Sequence, residues 1–168
     1  MKAIIYLAIF SLLAVAGQLT FVSRLDQGKI FLDLPLALVL AYALSCRRLK
    51  FCWLALLPVF LFDLLAGRFF GILTLSAWLS FWLLRWLVNF LFKKNEFLSL
   101  LVLGVAGFGF FYLSVFILEK IAVNLWGLTG QEVFWPFTPG EFIFALILNS
   151  FLIFGLFKLG DRIKIFKE

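Results

Sequence analysis

Apolar residues fall in six runs, about Ile4–Phe21, Ile30–Leu44, Phe51–Leu65, Ile72–Phe92, Phe97–Leu118 and Phe142–Leu159, divided by short segments rich in charge, glycine or proline. None of the runs alternates with a period of two, so each reads as a helix that is greasy on most of its surface. A crossing of the hydrocarbon core takes about 20 such residues, at 1.5 Å of rise each. The pattern predicts an all-α fold: a polytopic integral membrane bundle of six transmembrane helices, forming a single transmembrane domain over residues 1–168. The second and third runs, at about 15 residues or some 22 Å, are short for a span. They read as short spanning helices accommodated by local bilayer thinning, with a re-entrant hairpin as the alternative. Lys2, the apolar stretch that follows it and Ala14-Val15-Ala16 imitate a cleavable signal peptide. Apolar character continues to Phe21, past the small-residue site, which favours a retained first helix.

Composition agrees with the pattern, because 65% hydrophobic residues, 14% charged residues and a mean hydropathy of +1.13 exceed what a water-soluble domain of 168 residues carries. The net charge of +6 is spread between the apolar runs, with no basic stripe for a nucleic acid to follow. With the N-terminus in the cytoplasm, ten Lys and Arg fall on the inner side, led by Arg47-Arg48-Leu49-Lys50 and Lys93-Lys94, against four on the outer side. The positive-inside bias therefore places both termini in the cytoplasm. The chain has no histidine and two cysteines, Cys46 and Cys52, a poor inventory for metal ligation or His-based acid–base work. No cofactor is expected, and the cysteines read as free cytoplasmic thiols.

The polar residues inside the apolar runs are the candidates for chemistry. Asp33 sits just before Pro35 at the start of the second helix, where the unpaired amides and the dipole favour an acid. Asp63 lies about 12 residues after Phe51, deeper than an ordinary cap, and is either paired with Arg68 or Lys29 or kept for assembly. Two intramembrane carboxylates raise the possibility of an aspartyl peptidase of lipoprotein signal peptidase type. The Asn-containing blocks around each catalytic acid in that family are missing here, and no serine has a neighbouring base. The chain is expected not to be an enzyme.

Trp78, Trp82 and Trp86 fall on one stripe of the fourth helix. Arg85 beside them reads as an interhelical or snorkelling anchor. Asn149, near the middle of the last helix, needs an interhelical partner. Gly104, Gly107 and Gly109 let a neighbouring helix approach closely. The stretch Glu119–Gly140, with Trp126, Phe134, Trp135 and Phe137, reads as a non-helical outer loop. It either rests at headgroup level or docks another membrane protein.

The segment Asp63-Leu64-Leu65-Ala66-Gly67-Arg68-Phe69-Phe70-Gly71, closing one helix and opening the next, resembles the D-L-L-x-G-x-x-x-G signature of the MreD family of rod shape-determining proteins. Asp33-Leu34-Pro35 is similar to the Pro/Asp start of that family's second helix, although the family usually places its Asp after the Pro. Val59 stands where a glycine commonly precedes the signature acid by one turn. The resemblance implies a non-enzymatic scaffold of the bacterial inner membrane, working with MreC-like and MreB-like proteins and with the transpeptidase and polymerase of wall elongation. It implies assembly roles for Asp33, Pro35, Asp63, Gly67 and Gly71, and the outer Trp135 is a candidate partner contact. The alternative is the substrate-binding component of an energy-coupling-factor vitamin transporter, similar in size and hydropathy. Its Ala-x-x-x-Ala docking surface has no counterpart among Ala3, Ala8, Ala14 and Ala16.

Overall fold

A computed structural model describes residues 2–22, 32–45, 55–65, 70–91, 97–125 and 138–163. Among the described residues the chain forms six α-helices and no strand. These are α1 (Lys2–Gly17), which passes into a π-helical turn at Gln18–Val22, α2 (Leu34–Ser45), α3 (Leu57–Leu65), α4 (Ile72–Leu91), α5 (Phe97–Leu125) and α6 (Pro139–Ile163). Three stretches are long and apolar enough to cross a membrane: Ile72–Asn89 in α4, Ser99–Leu125 in α5 and Pro139–Leu159 in α6.

The helices depart from the sequence reading at two ends for identifiable reasons. The fifth helix runs through Glu119 to Leu125 instead of ending at Leu118, so part of the expected outer loop is helical. Ala122 is buried there while Lys120 and Asn124 face outward, an amphipathic turn that carries the helix past the apolar run. The last helix begins at Pro139, not Phe142. Pro139 and Gly140 look like breakers, but Thr138 and Glu141 form a reciprocal capping box. The Thr138 amide donates to Glu141 Oε2 at 2.9 Å and the Glu141 amide donates to Thr138 Oγ1 at 3.4 Å. Proline in the first helical position gives up an amide that has no intrahelical partner anyway.

The second apolar run is not peripheral. Its helix, α2, is 12 residues long, about 18 Å, and packs against α1, α3, α4 and α6. Every residue from Leu36 to Leu44 is buried. A helix that is apolar all round and enclosed by others needs no polar face, which is why the run shows none. Around it α4, α5 and α6 form the long wall of the bundle, with α4 on α5 and α5 on α6.

Two glycines set how closely that wall packs. A Cβ on Gly104 would stand 3.0 Å from the Cβ and Oγ of Ser150 and 3.1 Å from its Cα, so α5 and α6 nearly touch backbones there. A Cβ on Gly107 would meet Leu84 Cδ1 at 2.8 Å and Leu40 Cδ1 at 3.2 Å, where α4 and α2 press on α5. Gly109 faces open space and makes no such contact.

These contacts also fix the relative heights of the helices. Gly104 faces Ser150, and the rings of Tyr112 and Phe142 meet edge to face at 6.1 Å, so α5 and α6 are antiparallel in a consistent register. That register puts Gly107 opposite Ile147. Leu84 of α4 lies at the same level through its contact with Gly107.

Candidate functional site

Of the buried polar side chains, Gln18, Asn149 and Asp63 take part in two knots at helix starts, while serines such as Ser80 and Ser150 bond back to their own helices and Glu119 is buried in α5. The first closes the start of α2. Asp33 is the N-cap: its Oδ1 accepts from the Leu36 amide at 3.0 Å, and its carbonyl accepts from the Ala37 amide at 2.9 Å as the first turn closes. Asn149 of α6, fully buried, accepts the Asp33 amide at 2.9 Å on Oδ1 and donates through Nδ2 to the Ala145 carbonyl at 2.9 Å. Gln18, in the π-helical turn after α1, accepts the Leu34 amide on Oε1 and donates through Nε2 to the Leu32 carbonyl, both at 2.9 Å. Pro35 has no amide to satisfy. From Asp33 to Ala37 every backbone donor is therefore matched, and none is left to hold an anionic ligand at this helix start.

The height of this knot is its most informative property. Asn149 is the central residue of the apolar stretch Pro139–Leu159. It lies two residues from Ile147, the residue opposite Gly107. Its bond to Asn149 brings Asp33, read from the sequence only as an acid at a helix start, level with the middle of α6. A helix start at that depth would expose polar backbone to hydrocarbon if it were not enclosed and satisfied by protein. Gln18 and Asn149 provide that satisfaction from both sides.

The second knot closes the start of α4. Asp63, 2% exposed near the end of α3, reaches forward with Oδ2 to accept the Gly71 amide at 3.0 Å, the Thr74 amide at 3.0 Å and the Thr74 hydroxyl at 2.7 Å. Gly71 occupies the N-cap position of α4, and its carbonyl takes the first intrahelical bond from Leu75 at 2.8 Å. Glycine has no side-chain oxygen, so the acid that caps α4 comes from the preceding helix. The φ of Gly71 is +95°, a left-handed conformation that costs a side chain roughly 1–2 kcal/mol. Asp63 thus bonds to Gly71 and Thr74; Arg68 and Lys29, the cations read from the sequence as its partners, and Gly67 lie outside the described residues. Two buried atoms, Asp63 Oδ1 and Ser76 Oγ, meet no hydrogen-bond partner among the described residues.

Thr74 is ten residues before Leu84, about 15 Å along α4. The Asp63 knot therefore belongs to the end of the bundle where α4 and α6 begin, and the Asp33 knot to its middle. Along the bundle the Asp33 knot is thus the more central of the two. At that separation the two carboxyls do not form a dyad that could act together on one bond.

Four further residues weighed in the sequence lie on or beside the outer surface of α4. Arg85 is half-buried. Trp78, Trp82 and Trp86 are all exposed, with Trp78 and Trp82 in edge-to-face contact at 6.3 Å between centroids. Trp135 lies outside the described residues. Gln18 and Thr74 were not singled out in the sequence. Gln18 carried a signal, an amide inside an apolar run, which needs a partner in lipid. Thr74 carried none, because its role depends on an acid eleven residues away.

These features define a class: a chain that is helical throughout its described elements, with three helices long and apolar enough to cross a membrane. In comparisons with known proteins the chain matches no family model, no curated protein and no solved structure.

Proposed function

We propose that this chain is a non-enzymatic scaffold of the bacterial inner membrane, with both termini in the cytoplasm, serving the machinery that elongates the cell wall. It acts through helix faces and short outer segments on MreC-like and MreB-like proteins and on the elongation transpeptidase and polymerase. The observation that carries this reading is the contact between Asp63 and Gly71, the first and last residues of the segment that resembles the MreD signature. Through that glycine and Thr74 the acid caps the next helix. A joint of this kind fixes how α3 hands over to α4 and so presents a defined shape to partners. The absence of a free donor at the start of α2 and the separation of the two carboxyls also leave helix faces as the chain's main means of acting.

The test is depletion of the chain in its own host together with affinity purification from native membranes. The scaffold reading expects rods to become round and shape proteins to co-purify. Unchanged cell shape, or a vitamin found bound by native mass spectrometry, would overturn it in favour of the transporter component.

A further inference from the structure

The outward faces of the three long helices differ in chemistry. The exposed residues of α5 include Val102, Leu113 and Ile117, and those of α6 include Ile143, Ile147 and Phe151, all pure hydrocarbon and suited to lipid. The face of α4 instead presents Leu75, Trp78, Trp82, Trp86 and Asn89. These residues are spaced three, four, four and three apart, so they share one face of the helix. Trp78 and Trp82 are 44% and 42% exposed, and among the described residues neither indole N–H meets an acceptor.

Depth makes these donors costly. Trp82 is two residues from Leu84 and the eleventh of the 18 residues in the apolar stretch Ile72–Asn89, so it stands near the centre of the span. Tryptophan exposed to lipid is usually found at the headgroup level, where its N–H finds an acceptor. Lipid offers none at the centre.

We propose that this face of α4 docks a single transmembrane helix of another protein, one bearing hydrogen-bond acceptors such as hydroxyl or amide side chains about one turn apart. The partial positive charge on two indole N–H groups selects the occupant. A second copy of the chain does not supply it: two copies share one orientation in the membrane, and pairing α4 with α4 sets donors against donors. The proposal rests on the chain acting through helix faces, and not on its assignment to wall elongation.

The experiment places a photo-crosslinking amino acid at Leu75 of the full chain in native membranes, with Phe144 on α6 as the control position. The position-75 adduct is expected within the spanning segment of one membrane protein, beside Ser, Thr, Asn or Gln. Adding Trp82→Phe should lower its yield about 3-fold, with a larger drop when Trp78→Phe is combined, since phenylalanine keeps the ring and loses the donor. Thermal stability of the phenylalanine variants should match the parent, separating loss of docking from loss of fold. Lipid adducts alone at both positions, an adduct with a second copy, or a partner adduct indifferent to the phenylalanine changes would each overturn the proposal. A partner from outside wall synthesis would sink the elongation assignment and leave this docking face standing.

Discussion

The knots around Asp33 and Asp63 solve the same problem in different surroundings. Both are acids that close the start of a helix, and both bond to backbone amides. Asp63 works alone, from a neighbouring helix, at the end of the bundle. Asp33 sits near mid-depth and is backed by Gln18 from one side and Asn149 from the other. Near the end of the bundle one carboxylate oxygen takes the Gly71 and Thr74 donors. At the centre the backbone of the helix start must be matched completely by protein, since an unmatched donor there has no water to turn to.

The contrast is sharpest in a pair of opposite substitutions. Asn149→Asp places a carboxylate near mid-depth and should cost about 2.5–3.5 kcal/mol. Asp63→Asn keeps an oxygen for Gly71 and Thr74 and should cost well under about 1 kcal/mol, as asparagine caps helices about as well as aspartate. Unfolding titrations in mixed micelles compare the two, and equal costs would break the distinction. Gln18→Leu comes next. It strips the partner from the Leu34 amide and is expected to cost about 1–3 kcal/mol, with faster hydrogen exchange confined to the start of α2.

Asp63→Ala removes a cap and is expected to cost about 0.5–2 kcal/mol, with exchange faster at Gly71 and Thr74 and unchanged at Asp33. Gly71→Ala should cost about 1 kcal/mol. A Cβ there meets open space, so the cost is the backbone conformation alone, and denaturant midpoints of the two proteins would measure it.

How much of this the sequence showed follows from what each feature depends on. Each of the six apolar runs overlaps one of the six helices, and α4 begins at Ile72 as read, because hydropathy is a local property. Burial of α2 could be suspected from its length but not assigned, since enclosure depends on where α4 and α6 stand. The Pro139 start was misread because proline and glycine were weighed as breakers, although Thr138 and Glu141 three apart carry the capping-box spacing. The Asp63 knot was half legible: Asp63 and Gly71 drew attention as a motif, but the cap itself joins residues eight and eleven apart across a turn, a spacing that no helix-start rule covers. The relative heights of Asp33 and Asp63 could not be read at all. They rest on the register of α5 against α4 and α6, which Gly104 and Gly107 set through space.

Depth is what the account most depends on, and spin labels measure it directly at two exposed positions that carry none of the bonds. Ile147 is level with the Asp33 knot, and Phe70 adjoins the Asp63 knot. With the protein in a lipid bilayer, a label at Ile147 should collide readily with dissolved oxygen and hardly at all with a water-soluble nickel chelate, while a label at Phe70 should show the opposite balance. Equal depths at the two sites, or a nickel-accessible label at Ile147, would contradict a helix start sealed near the middle of the membrane.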